Sequence, residues 1–202
     1  AMGGLTTASG LNTVAMGFKT TASGIASCAF GNQSTASGVY SFAAGDGAKA
    51  IGARSIALGA YSNAQGAYSF AAGYSSITGP SATAATALGR ETNASATYST
   101  AIGYQSASSG IYSLAGGNVS TASGISSIAL GDHANASANY AIALGRNTTA
   151  STQYAIAIGN TTTASGDNST AFGNQTTAVG KYSLAVGYGC TANAYASTVV
   201  GT

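Results

Sequence analysis

Small and apolar residues recur every fourteen positions along the chain, with glycine as the most regular member of the pattern. The glycines from Gly3 to Gly73 are spaced by fourteen, and the series resumes from Gly89 to Gly201 after one interval of sixteen. An alanine lies two residues before each glycine, except at Val199. Such repetition predicts a stack of identical units. We call each unit a coil and number its positions 0 to 13 from this glycine.

A second glycine recurs at coil position 7, as at Gly24 and Gly38, so each coil contains two similar halves of seven residues. Two turns and two strands per coil follow, because glycine permits the tight turns and close backbone approach that such a coil needs. A coiled coil is excluded, since glycine costs about 1 kcal/mol at each helix-interior position. The pattern therefore predicts about fourteen parallel β-coils of fourteen residues each.

Strand alternation separates a small face from a large apolar face in the first strand of each coil. Positions 10 and 12 carry Ser or Ala, as at Ser27 and Ala29, whereas positions 11 and 13 carry large side chains. The second strand has small residues at positions 3 and 5 and polar ones at positions 4 and 6. A thin interior of small residues follows, with the large apolar face outside. The large residues are Val14, Met16, Ile56, Leu58, Ile128, Leu130, Ile142, Leu144, Ile156, Ile158, Leu184 and Val186.

A continuous apolar face of this size exceeds the few hundred Å² that soluble monomers expose, so identical chains are expected to cover it. The opposite assignment, with the large residues inside the roll and alanine toward the partner, also predicts an oligomer. The sequence leaves open which face of the first strand meets the partner chains.

The one irregular interval contains Gly79-Pro80, and we expect a two-residue insertion near residues 78–82 in a bulged turn, because proline cannot donate to a strand ladder. Residues 1–202 are expected to form a single β-roll domain. Ala1-Met2 is interpreted as a cloning remnant in front of an excised fragment.

Charge is scarce: 5% of residues are charged and the formal net charge is +2. This balance predicts no nucleic-acid partner, and the short apolar stretches predict no membrane contact by this fragment. Lys19, Lys49, Arg54, Arg90, Arg146 and Lys181 form no continuous track and are interpreted as solvated side chains.

Ser55-Ile-Ala-Leu-Gly59, Ser127-Ile-Ala-Leu-Gly131 and Ser183-Leu-Ala-Val-Gly187 are similar to the Ser-Val-Ala-Ile-Gly motif of one family at the same fourteen-residue spacing. Over essentially its whole length, the chain resembles the head domain of YadA-like trimeric autotransporter adhesins. The resemblance implies an all-β, left-handed parallel β-roll, or solenoid, that forms a homotrimer with two identical chains.

The resemblance also implies a function and a location. The complete protein would be a virulence-associated adhesin on the bacterial cell surface, anchored in the outer membrane through segments absent from this fragment. It would attach to host cells or to extracellular matrix proteins such as collagen, and it would support autoaggregation. Position 9, often asparagine in the family, is tyrosine in many coils here, so matrix binding is an expectation of the family and not a site carried over.

No catalytic, metal or cofactor site is predicted, so an enzyme is not expected. His133 is interpreted as a solvated turn residue beside Asp132, and the four acids lie in distant coils. Cys28 and Cys190 are eleven coils apart, about 50 Å at 4.8 Å per coil, which is too far for a disulfide. Both are therefore expected to be free thiols.

Tyrosine is concentrated at coil position 9. Stacking between adjacent coils is expected, for example of Tyr140 on Tyr154. The row is also a candidate adhesive surface, because rigid aromatic side chains suit recognition. Both interpretations stay open: the tyrosines stabilise the stack of coils, or they contact a ligand. The residues are Tyr40, Tyr68, Tyr98, Tyr112, Tyr140, Tyr154 and Tyr182.

Three other functions compete with adhesion. A structural spacer in a longer fibre would bind nothing itself. An ice-binding solenoid would need Thr-x-Thr pairs on one face, whereas Thr148-Thr149 and Thr162-Thr163 are adjacent and should point in opposite directions. A β-helix acyltransferase would need a hexapeptide period and a catalytic histidine set, and the sequence contains neither.

Overall fold

The computed structural model describes residues 1–201, in which every regular element is a β-strand. Within this range there is no helix with the length and apolar character needed to cross a lipid bilayer. The chain consists of two compact units, Ala1–Tyr104 and Gln105–Thr202. Each unit is a parallel β-solenoid of seven coils, which confirms the predicted all-β class and repeat. That all the coils form one domain stays a prediction.

In the first unit, short and long strands alternate along the chain and build two separate parallel sheets. The short strands are β1 (Thr7–Ala8), β3 (Thr21–Ala22), β5 (Thr35–Ala36), β7 (Lys49–Ala50), β9 (Asn63–Ala64), β11 (Ile77–Thr78) and β13 (Asn93–Ala94). The long strands are β2 (Val14–Phe18), β4 (Cys28–Asn32), β6 (Phe42–Asp46), β8 (Ile56–Leu58), β10 (Phe70–Tyr74), β12 (Thr86–Arg90) and β14 (Thr100–Tyr104). Each sheet follows chain order.

The second unit repeats this organisation, again with one sheet of short strands and one of long strands. The short strands are β15 (Ala107–Ser108), β17 (Thr121–Ala122), β19 (Asn135–Ala136), β21 (Thr149–Ala150), β23 (Thr163–Ala164), β25 (Thr177–Ala178) and β27 (Thr191–Ala192). The long strands are β16 (Leu114–Asn118), β18 (Ile128–Asp132), β20 (Ile142–Arg146), β22 (Ile156–Asn160), β24 (Thr170–Asn174), β26 (Leu184–Tyr188) and β28 (Thr198–Val200).

Neighbouring coils pair residue for residue at a spacing of fourteen, so like side chains stack on like. In the second unit, for example, Ile142 pairs with Ile156 and Gly145 pairs with Gly159. The sixteen-residue interval keeps this register, because Gly73 pairs with Gly89. The two extra residues are accommodated in the turns between β11 and β12, where Pro80 lies.

The interior of each coil is filled by small side chains, as the alternation predicts. From Ala15 onward, the alanines at positions 12 and 5 are completely buried, including Ala143 and Ala150. Residues at positions 10 and 3 are buried beside them, so Thr148 lies inside whereas its neighbour Thr149 lies on the outer face and is only partly covered. The two adjacent threonines therefore point in opposite directions, as the strand alternation predicts.

The large residues at positions 11 and 13 face outward, as Val14, Ile56 and Leu130 show by remaining about 40% exposed. The alternative assignment, which places large residues inside the roll, is therefore wrong. The physical reason is the thinness of the coil, whose two facing strands leave room only for alanine, serine and threonine.

Two turns close each coil, and both contain a residue in the left-handed region. At position 9, Tyr40 has φ of 59° and Ser126 has φ of 54°; at position 2, His133 has φ of 55°. Positions 7 to 10 form a β-turn, in which the Ser127 N–H donates to the Gly124 carbonyl at 3.2 Å. The Ser127 hydroxyl donates to the same carbonyl at 2.7 Å, which satisfies a buried polar group.

Candidate adhesive surface

In each of the two units, three surfaces expose large side chains and are candidates for contact with other molecules. The apolar face is formed by positions 11 and 13 of the long strands. The tyrosine edge is formed by the turn residues at positions 8 and 9. The opposite edge is formed by positions 1 and 2, where each long strand ends.

The apolar face contains all twelve residues predicted to contact partner chains, each exposed or half-buried on an outward strand position. Additional aromatic residues belong to it. Phe30 and Phe42 lie in adjacent coils with ring centroids 5.6 Å apart, and Phe172 is about half exposed. These phenylalanines are absent from the predicted set, although their coil positions alone place them on this face.

On the tyrosine edge, all seven tyrosines predicted as an adhesive surface occupy the same turn position with φ between 58° and 62°. Their exposed fractions range from 46% to 62%. The predicted stack of Tyr140 on Tyr154 is confirmed, since their rings are 5.1 Å apart and nearly parallel at 10°. Tyr182 instead meets Tyr195, the position 8 residue of the next coil, edge to face at 5.7 Å.

The left-handed conformation at position 9 is unfavourable for a tyrosine, since it costs an L-residue other than Gly, Asn or Asp about 1–2 kcal/mol. The stack of coils imposes it. The N–H groups of Tyr40, Arg54 and Tyr68 each donate to the position 8 carbonyl of the preceding coil at 2.7–2.8 Å. The turn backbone is thus fixed whichever side chain occupies position 9.

The opposite edge has a polar ladder at position 1. Asn118 Nδ2 donates to Asp132 Oδ1 at 2.6 Å, His133 Nδ1 lies 2.8 Å from the same oxygen, and Arg146 Nε lies 3.8 Å from Oδ2. The hydrogen bond from Asn118, together with that from His133, lowers the pKa of the Asp132 carboxyl below its usual value. His133 is an exposed turn residue, as the sequence predicts.

Groups that could support catalysis are sparse in this structure. No cluster of three or more His, Cys, Asp or Glu side chains is found within residues 1–201. Cys28 and Cys190 are free thiols, as predicted from their separation in sequence; Cys190 is buried, with Sγ 3.2 Å from the Val186 carbonyl. A groove of about 240 Å³ in the first unit is lined by Gln33, Gly47, Lys49, Tyr61, Asn63 and Ile77, none of them an acid, histidine or cysteine.

Comparison with known proteins agrees with this geometry. No curated protein gives a significant match to the chain. The family model of the YadA head domain repeat (2 copies) matches almost the whole chain, over residues 1–20, 22–48, 50–76, 81–106, 94–120, 108–134, 122–148, 136–162, 150–176, 164–190 and 178–202. Successive matches overlap by one coil in the second half, as expected for an uninterrupted repeat. The chain is therefore a member of the YadA head domain repeat family and has the adhesin-type function of these bacterial surface proteins.

Proposed function

We propose that three copies of this chain assemble around their apolar faces and present the tyrosine edge to a host ligand. The ligand is an extracellular matrix or cell-surface protein, collagen among the candidates, and contact between fellow bacteria uses the same surface. Outer-membrane anchoring is supplied by segments outside this sequence. The trimer is supported by membership of the YadA head family and by the outward apolar residues of both units.

The position 9 tyrosines are the observation that carries the adhesive role. Asparagine or glycine suits a left-handed turn better than tyrosine does, so the backbone provides no reason for tyrosine there. Core packing does not explain tyrosine there either, because about half of each side chain is exposed to solvent. Rigid aromatic side chains with a polar tip are, however, enriched at sites of protein recognition.

Mutual stacking accounts for only some of these tyrosines. A stacked aromatic pair contributes about 0.5–1.5 kcal/mol, and Tyr140 with Tyr154 is such a pair. Tyr182 has asparagine and alanine at position 9 of its two adjacent coils, so it has no tyrosine to stack on there. A ladder of position 9 rings alone therefore does not account for Tyr182, which packs edge to face on Tyr195 at position 8 of the next coil instead.

The test is the double substitution Tyr140→Asn, Tyr154→Asn, measured as attachment of the purified protein to surfaces coated with collagen or with whole matrix extract. We expect attachment to fall at least about tenfold, because two exposed aromatic anchors are lost. Stability should change by no more than about 1 kcal/mol, because relief of the left-handed strain offsets the lost stacking.

A matched control is Tyr61→Asn, Tyr74→Asn, which removes a contacting pair of exposed tyrosines from the opposite edge, where the ring centroids are 6.0 Å apart. This control should attach like the unsubstituted protein. If the position 9 double variant attaches normally but melts at a lower temperature, the tyrosines serve only as a stabilising ladder. If the unsubstituted protein attaches to none of the coated surfaces, the head is a spacer.

A further inference from the structure

An arginine held between two tyrosines gives the tyrosine edge of the first unit a charged centre. We infer that Tyr40, Arg54 and Tyr68, here called the arginine clamp, form a receptor for a single carboxylate group on the protein to which the head attaches. The inference rests on the proposed adhesive role and names the chemistry of the partner.

The arginine clamp occupies position 9 of three successive coils. The Arg54 guanidinium carbon, Cζ, lies 5.4 Å from the ring centroid of Tyr40 and 5.3 Å from that of Tyr68. Arg54 Nη1 donates to the Tyr68 hydroxyl oxygen at 2.8 Å. Because a ring lies on each side and one hydrogen bond fixes the third direction, the flexible arginine side chain is ordered before any partner arrives.

Among the described residues, no acidic side chain lies close enough to neutralise the charge of Arg54. The other two arginines lie near carboxylates, Arg90 at 3.1 Å from Glu91 and Arg146 at 3.8 Å from Asp132. Throughout residues 1–201, the ion pairs within 4 Å leave Arg54 without a carboxylate. An ordered guanidinium that has no carboxylate within 4 Å is ready to bind an anion of another molecule.

The remaining polar groups of the clamp are hydrogen-bond donors. The guanidinium has five N–H groups and no acceptor. Since the Tyr68 oxygen already accepts from Arg54, the hydroxyl proton of Tyr68 is available to donate outward, strengthened by that bond. A carboxylate offers two coplanar oxygens that match the planar guanidinium fork, so it is the anion that these donors suit.

The surroundings favour a carboxylate on a protein over a sulfated polysaccharide. Arg54 is the only Lys or Arg at positions 8 and 9 of the first unit, whereas a polyanion is bound by several cations in a row. Exposed apolar residues, Ile25 and Val39, occupy position 8 of the two preceding coils. Tyrosine and arginine beside apolar surface is the composition of protein–protein hot spots.

The experiment titrates the full chain, with ¹⁵N-labelled arginine side chains, with the peptide acetyl-Ala-Glu-Ala-amide at neutral pH. We expect a saturable shift of the Arg54 Nε resonance, and binding at least about tenfold weaker for the peptide with Gln in place of Glu. Arg54→Met should abolish the response in the shifts of labelled tyrosines, and Arg54→Lys should weaken it several-fold because lysine has no planar fork.

Arg90→Met is the matched control, because Arg90 also lies between two tyrosines, Tyr74 and Tyr104, but beside Glu91. It should bind the peptide like the unsubstituted chain. The inference is overturned if the Gln peptide binds equally well, if Arg54→Met keeps full binding with an unchanged melting temperature, or if no shift occurs up to about 50 mM peptide.

Tighter binding of a heparin disaccharide than of the Glu peptide would also overturn the inference, since it would assign the clamp to sulfate. Attachment to matrix that depends on Tyr140 and Tyr154 but not on Arg54 would leave the proposed function intact while removing this inference. The two proposals therefore fail under different results.

Discussion

At the scale of single residues, glycine at coil position 0 is required for two independent reasons. Gly145 has φ of +122°, a conformation that residues with a side chain rarely adopt. A Cβ atom built on Gly145 would lie 1.9 Å from the carbonyl oxygen of Gly159 in the next coil. The backbones of adjacent coils therefore approach each other more closely than any side chain allows.

We predict that Gly145→Ala lowers the free energy of unfolding by about 3 kcal/mol or more, because the strained φ and the collision with backbone add together. Gly189→Ala is the control, since Gly189 has φ of +64° and open space around its Cβ direction, and it should cost about 1 kcal/mol. Thermal unfolding followed by circular dichroism compares the two variants. Equal losses would show that backbone strain alone, and not the collision, makes position 0 glycine.

The positions of these glycines could be predicted from the sequence, but the residues that hold the left-handed turns could not. At position 9 those residues are tyrosine, arginine, alanine, serine or asparagine. In an isolated turn, glycine would be expected at a position with this backbone conformation. The turn is set by hydrogen bonds between coils, such as that from the Tyr40 N–H to the Ile25 carbonyl. The arginine clamp was missed for a related reason, because Arg54 gains its partners only when three coils stack in register.

At the scale of the elements, the thickness of a coil is set by alanine. Ala143 in β20 and Ala150 in β21 are fully buried in the interior between these two successive strands. We predict that Ala143→Val destabilises the protein by about 1–3 kcal/mol, because two extra methyl groups must enter a close-packed gap.

Thr149→Val is the control for that substitution, since Thr149 is on the outer face of β21, the strand that follows β20. It should change stability by no more than about 0.5 kcal/mol, because valine is at least as favourable in a strand and meets solvent there. Urea unfolding of both variants gives the comparison. If Ala143→Val is as harmless as the control, the interior has space that the buried alanines do not suggest.

Strand alternation was sufficient to group the side chains of each strand by face, but not to decide which face of the first strand lies outside or to give the strand lengths. Two similar heptads suggest two similar strands, whereas most long strands have five residues and the short strands have two. The halves differ because glycine at position 0 continues β20 through Gly145 to Arg146, while glycine at position 7 begins a β-turn closed by the hydrogen bond from position 10. The two halves have similar sequences, so the sequence does not reveal that one glycine lies within a strand and the other begins a turn.

At the scale of the whole molecule, the outward apolar residues of each unit favour association between copies of the chain. Its side chains are partly covered by their neighbours in adjacent coils, and the rest of their surface meets water in a single chain. In the proposed trimer, burying that remainder would contribute about 25 cal/mol per Å², and the threefold symmetry would repeat the gain in every chain. We therefore expect the melting temperature to rise with protein concentration.

We therefore predict that the protein has the mass of three chains in light scattering and that Leu144→Asn, Ile158→Asn dissociates it. Each substitution occurs three times in a trimer and removes about 1 kcal/mol or more per copy, so the combined loss exceeds what a marginal interface tolerates. Thr149→Asn, Thr163→Asn changes the polar outer face of the short strands β21 and β23, which follow those two residues in the chain, and should leave the mass unchanged. A native chain of single mass would mean that the apolar face stays in contact with solvent. A trimer that survives Leu144→Asn, Ile158→Asn would mean that the chains meet through a different surface.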